Sequence, residues 1–185
     1  MCGRYWIEQD DEALAEIIAE MQRLDVQAKT AGEIFPGDRV PVLCRSRAGR
    51  VRPFAMEWGY RLDNGKRIIN ARSETAGEKL MFREGMAQRR CLLPMSAYFE
   101  WKQQADGKQK FRIAPDGKGL HYLAGIYRFE GANPVCTVLT TQAADPIAFI
   151  HHRMPVILSA GEEEAWLGGG NIRFNRELSL VCREV

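Results

Sequence analysis

No run of about 18 apolar residues occurs in the chain, so the sequence predicts no membrane-spanning helix. No C-x-x-C pair occurs either. The five cysteines, Cys2, Cys44, Cys91, Cys136 and Cys182, are odd in number and scattered, which argues against a zinc site or a thioredoxin-like motif. The first residues lack the basic-then-apolar layout of a signal peptide. These absences lead us to expect a cytoplasmic chain with free thiols in a reducing compartment. Neither G-x-G-x-x-G nor G-x-x-x-x-G-K-[ST] is present; Gly168-Gly169-Gly170 has neither spacing and reads as a flexible break. An excess of one charge is also missing. With 26 Lys and Arg against 24 Asp and Glu, the net charge is only +2, and nucleic-acid contact has to come from a local patch. No cofactor and no metal are expected.

What is present is ordinary globular composition, 45% hydrophobic and 27% charged over 185 residues. That supports one domain, residues 1–185, whose core needs no metal or disulfide staple. A short strand is predicted at 3–8. A helix follows at about 11–24, capped by Asp10 or Asp11, with Leu14, Ile17, Ile18, Met21 and Leu24 on one face. From Val40 the period becomes that of strands. Val40–Cys44 and Val51–Trp58 flank the turn Ser46-Arg47-Ala48-Gly49, and Asp63-Asn64-Gly65 signals a hairpin. A helix is predicted at 73–80. Strands are predicted at 90–93, 97–102, 110–114, 120–129, 135–141, 154–158 and 178–182, and short helices at 146–151 and 162–167. Strands outnumber helices without regular alternation. The fold class is therefore α+β, a mostly antiparallel, curved, barrel-like β core flanked by short helices.

Cys2 carries the distinctive chemistry. Removal of Met1 leaves an α-amine and a thiol on one carbon atom. An aldehyde condenses with such an amine to a Schiff base, and the thiol closes on it as a five-membered thiazolidine. With Met1 in place the nitrogen is an amide and this route is closed. The bland alternative is a small buried hydrophobe.

Four separated segments form one pattern: Met1-Cys2-Gly3-Arg4-Tyr5; Asn70-Ala71-Arg72-Ser73-Glu74-Thr75; Arg90-Cys91-Leu92-Leu93-Pro94 running into Tyr98-Phe99-Glu100-Trp101; and His151-His152-Arg153-Met154-Pro155-Val156-Ile157-Leu158. In that order they strongly resemble the SRAP family, the SOS-response-associated proteins that process abasic sites in DNA. Pro36-Gly37, Trp58-Gly59, Ala124-Gly125-Ile126-Tyr127 and Leu139-Thr140-Thr141 also fit. The resemblance implies a protein of the DNA damage response that crosslinks itself through Cys2 to abasic sites in single-stranded DNA. It implies catalytic roles for Cys2, Asn70, Glu100 and His151, and DNA contact by Arg4, Arg72, Arg153 and Thr140. A monomer is expected, cytoplasmic and nucleoid-associated when on DNA, with replication-fork proteins as candidate partners. The chain departs from the family pattern in having His152 where an acidic residue is usual, a shorter segment between Gly59 and Asn70, and a different aromatic order before Glu100.

The residues themselves support these roles to different degrees. Ring opening, amine attack, water loss and thiol closure each move a proton, and Glu100 among Tyr98, Phe99 and Trp101 is the candidate acid–base group. His151 titrates in the useful range, although His152 competes for its role. Adjacent residues on a strand point to opposite faces, which argues against a metal held by both. Asn70 offers a donor and an acceptor, or serves a turn. The guanidinium of Arg4, Arg72 or Arg153 suits a phosphate, or a salt bridge with Glu74. Trp58 and Phe82 are candidates for stacking on bases, with the core as the alternative. Two other functions compete with crosslinking: an N-terminal-cysteine hydrolase that also removes Met1, and a passive single-stranded DNA module.

Overall fold

A computed structural model describes residues 2–117, 119–172 and 178–185. Strand β1 (Arg4–Ile7) leads into helix α1 (Glu12–Arg23). Asp11 caps this helix by accepting the Leu14 N–H at 3.1 Å, and Leu14, Ile17 and Met21 form its buried face. Strand β2 (Gly32–Ile34) returns beside β1. The hairpin of β3 (Arg39–Arg45) and β4 (Val51–Trp58) turns where expected, and β5 (Tyr60–Arg61) and β6 (Arg67–Ile68) pair across the Asn64-Gly65 turn. Strand β7 (Asn70–Arg72), helices α2 (Ser73–Ala76) and α3 (Arg83–Gln88), and strand β8 (Arg90–Met95) follow. Then come β9 (Ala97–Gln104), β10 (Gly107–Pro115), β11 (His121–Glu130) and β12 (Asn133–Gln142). Helix α4 (Asp145–Ala148), β13 (Arg153–Pro155), β14 (Ile157–Leu158), α5 (Glu162–Leu167) and β15 (Leu180–Glu184) complete the order.

The strands β12, β4, β3, β8 and β11 pair in that order, and β11 pairs back onto β12, which closes a five-strand barrel. Every step is antiparallel except β12 on β4, so the barrel is mixed. Closure crowds the interior. A Cβ at Gly125 would lie 2.5 Å from Leu93 Cδ1 and 3.0 Å from Cys91 Sγ. A second, antiparallel sheet of order β15-β10-β9-β1-β2 lies apart from the barrel in pairing. One core cluster joins the two sheets, because Cys2, Tyr5 and Tyr98 pack with Trp58, Cys136 and Val138. Outside the barrel, α5 docks through Trp166, whose indole N–H donates to the Cys91 carbonyl at 3.0 Å. Among the described residues no helix is long and apolar enough to cross a membrane.

Several expectations are corrected. The helix predicted at 73–80 ends at Ala76, where Gly77 takes the C-cap; Leu80 beyond it is 77% exposed and has no face to bury. Helix α3 and strand β2 went unpredicted, each being shorter than a periodic signal needs. The strand predicted at 154–158 splits at Val156, whose N–H donates to Leu139 and whose carbonyl accepts from Ala124. The three glycines are no loose break. Their N–H groups donate to Glu164, Trp166 and Ala165 and close the end of α5.

Candidate functional site

The site forms where the start of the chain meets both sheets. Arg4 lies opposite Phe99 in the β1–β9 register, which brings Cys2 to the Glu100 stretch of β9. Cys2 is 0% exposed, and its thiol donates to the Arg4 carbonyl at 3.7 Å. Burial pushes the thiol far above the ordinary cysteine range, and the neighbouring Glu100 charge pushes it further. Glu100 itself is 3% exposed. Burial raises its carboxyl; the positive amino terminus, the Trp101 backbone N–H and His152 pull it back.

Asn70 arrives from the barrel side. Strand β7 lies parallel to β12 with Asn70 opposite Val138, and the Ile69 carbonyl beside it accepts both the Trp58 indole N–H at 3.0 Å and the Val138 N–H at 3.1 Å. That anchoring aims the Asn70 amide at Cys2, where Nδ2 donates to the Cys2 carbonyl at 2.8 Å. The amide oxygen, Oδ1, is buried without a hydrogen-bond partner among the described residues.

His151 follows α4 and precedes β13. Its Nδ1 lies 2.9 Å from the Arg153 backbone N–H nitrogen and 3.2 Å from the Arg153 carbonyl oxygen; the shorter contact is made when the neutral ring carries its proton on Nε2. Burial lowers its pKa and the positive amino terminus adds to this, while the backbone hydrogen bond with Arg153 opposes it. His151 and His152 are not on a strand, and their rings do not point apart. They stack with centroids 4.4 Å apart and 23° between planes, which overturns the geometric premise used above against a shared metal. Among the described residues no three His, Cys, Asp or Glu side chains gather as a metal site.

The arginines divide. Arg72 is exposed at the end of β7, opposite Thr140. Arg4 is half-exposed. It lies 3.3 Å from Glu33, and its guanidinium sits 4.6 Å from the Phe35 ring centroid and 5.2 Å from that of Trp101. Arg153 is engaged inside the protein: its side chain is 11% exposed and forks onto Glu74 at 2.6 and 2.9 Å while donating to the Thr140 carbonyl at 2.6 Å. Thr140 is fully buried and touches Arg153 through Oγ1 at 3.3 Å. Stacking by Trp58 and Phe82 is corrected. Trp58 is 0% exposed and packs edge-on to Tyr5, and buried Phe82 packs on Tyr60; neither presents a ring face to a base.

Sequence reasoning missed Glu33, Phe35 and Lys110 at the rim. Glu33 accepts from Lys110 at 3.0 Å as well as from Arg4, and Lys110 sits 3.9 Å from the Phe99 ring centroid. The unpredicted strand β2 carries Glu33, so no periodic signal pointed to it.

The family model described as SOS response associated peptidase (SRAP) matches residues 1–184. The abasic site processing protein YoqW of Bacillus subtilis (strain 168) is 30% identical over 185 aligned residues, covering 92% of this chain and 82% of its own length. The abasic site processing protein YedK of Escherichia coli (strain K12) is 31% identical over 177, covering 90% and 79%. A crystal structure of a Bordetella bronchiseptica protein superposes with a TM-score of 0.80 at 22% identity, over 100% of this chain and 99% of that one, and shows the same fold.

Proposed function

The chain belongs to the SOS response associated peptidase (SRAP) family, whose relatives bear the name abasic site processing protein, and from that premise we propose that it captures abasic sites in single-stranded DNA as a covalent thiazolidine on Cys2. One observation carries the reading. A cysteine next to the initiator methionine is held by its own carbonyl on Asn70 at 2.8 Å, within electrostatic reach of a buried carboxyl, Glu100. A cysteine that merely filled the core would need neither polar neighbour.

The chemistry runs in balanced steps. Once Met1 is removed, the Cys2 amine adds to the C1′ aldehyde of the opened sugar. The carbinolamine loses its hydroxyl as water and leaves an iminium. The thiol sulfur then bonds to that carbon, the C=N π pair returns to nitrogen, and the thiol proton is passed on. Burial keeps the thiol protonated until this step, so a base has to take its proton. Glu100, whose carboxyl burial raises, accepts that proton and also donates one to the departing hydroxyl. His151 offers Nε2–H to the sugar hydroxyl, and the Asn70 Oδ1 accepts from the amine. Arg4 and Arg72 bind the flanking phosphates. Arg153 acts from inside, holding His151 in place.

The test mixes Met-free protein with single-stranded DNA containing one abasic site and reads a denaturing gel. A shifted band that disappears in Cys2→Ser supports the proposal. Binding with no denaturation-resistant band leaves a passive DNA module instead. The word peptidase in the family description favours a second reaction of the same residues, attack by Cys2 on the Met1 carbonyl with release of Met1. The mass of freshly expressed Glu100→Gln protein tests it: retention of Met1 supports self-cleavage, and loss of Met1 as in the parent assigns removal to another enzyme.

A further inference from the structure

His152 is the outer ring of the histidine stack. His151 is anchored through Nδ1 to the Arg153 N–H at 2.9 Å, while His152 is exposed and covers the face of its neighbour at a centroid distance of 4.4 Å. The charges facing it come from every side of the site. From β7 comes exposed Arg72, whose charge acts on both His152 and Glu74. From β13 comes Arg153, whose charge is met by Glu74 of α2 at 2.6 Å. The turn itself supplies His151, the amino terminus adds a positive charge, and buried Glu100 of β9 is the acidic group in reach. Positive charge prevails, and it disfavours a proton on His152, with His151 the largest contributor. An arriving phosphate reverses that balance. It supplies negative charge to the cluster and acceptor oxygens to both ring N–H groups of an imidazolium.

Resting on the reading of the site as a binder of abasic single-stranded DNA, we propose that His152 is a DNA-phosphate contact that acts in its protonated form beside Arg72, so that binding takes up a proton. The stack gives the imidazolium a fixed position on the rim, and Arg72 on the same rim supplies the second, pH-independent point of a phosphate seat. Affinity then falls as pH rises through the range in which His152 of the complex gives up its proton.

The experiment uses single-stranded DNA carrying a tetrahydrofuran abasic analogue, which has no aldehyde and separates binding from crosslinking. Affinity is measured from pH 6 to pH 8 for the parent protein, His152→Gln and His121→Gln. One proton taken up corresponds to at most about a tenfold change in affinity per pH unit. The parent and His121→Gln should bind more tightly at the acid end, and His152→Gln should lose that gain. NMR should show the His152 ring titrating at higher pH in the complex than in the free protein. Equal pH dependence in parent and His152→Gln, or an unmoved His152 titration, overturns the assignment and leaves the DNA-binding reading standing. Absence of binding by the parent at every pH overturns both.

Discussion

Arg153 and Glu74 form a two-point ion pair, at 2.6 and 2.9 Å, that ties β13 to α2. The same arginine donates to the Thr140 carbonyl on β12, and its backbone N–H fixes the His151 ring. One residue therefore joins three elements and orients a candidate catalytic group. The hydrogen bond from Arg153 holds the Glu74 carboxyl below the usual range. A depressed carboxyl contributes stability that is present above its unfolded value, roughly pH 4.3, and is lost as pH falls through the folded one. Glu74→Gln should lower stability by about 0.5–1 kcal/mol at neutral pH, since solvent screens this partly exposed carboxylate, and lose less than the parent below about pH 4. Denaturant unfolding at pH 7 and pH 3 checks both; an unchanged pH dependence would detach this pair from acid sensitivity.

Glu100→Gln should slow adduct formation by roughly 10²–10⁴-fold, with affinity for the tetrahydrofuran analogue unchanged. A raised carboxyl has the opposite linkage to Glu74: stability is lost as pH rises from the unfolded toward the folded value. The amide cannot ionise, so the variant should also unfold at a higher temperature than the parent at pH 7. An undiminished adduct rate would remove Glu100 from the mechanism.

Glu33 pairs with two cations, Arg4 at 3.3 Å and Lys110 at 3.0 Å. Glu33 engages only Nη1 of Arg4, at 3.3 Å, and its negative charge opposes a phosphate approaching the same guanidinium. Glu33→Gln should tighten single-stranded DNA binding and steepen its salt dependence, whereas Arg4→Ala should weaken binding and make the log–log salt slope shallower by about 0.7, the value for one single-strand phosphate contact. Titrations at several salt concentrations decide; equal slopes in all three proteins would place the phosphate path elsewhere.

Gly125 lies where β11 passes over Cys91 and Leu93 inside the closed barrel. Its conformation is ordinary, so the constraint is space. Gly125→Ala should destabilise by about 1–3 kcal/mol, measured by denaturant unfolding, because the new Cβ forces the fully buried Leu93 side chain to shift and also crowds the Thr137 carbonyl at 3.2 Å. Parent-like stability would mean that the barrel interior relaxes at this point.

Much of the fold was legible because it rests on local pattern. Alternation in Val40, Val42 and Cys44, the Asn64-Gly65 turn and the apolar face of α1 each announce an element within a few residues. A barrel-like core was expected from these patterns, but the pair of strands that closes it was not, because β12 meets β4 through only two residue pairs, Val135 with Glu57 and Cys136 with Trp58, between strands distant in sequence. The site divides in the same way. Residue types with distinctive chemistry, Cys2, Glu100 and His151, stand out in a sequence, as do the motifs around them. Orientation does not. Nothing in the sequence decides that Trp58 turns its ring inward to Tyr5, that Arg153 is engaged by Glu74 while Arg72 stays exposed, or that His152 stacks on His151. The meeting of Asn70 with Cys2 depends on the parallel pairing of β7 with β12, a tertiary event with no local signature.

The covalent capture of a damaged sugar by the aminothiol of Cys2 is measured most directly by intact mass. Met-free protein is incubated with an oligonucleotide bearing one aldehydic abasic site, and the product is weighed without reduction. The predicted mass is that of protein plus DNA less one water, found in the parent and missing in Cys2→Ala. Unmodified protein alone, or an adduct of the same mass that persists in Cys2→Ala, would contradict it.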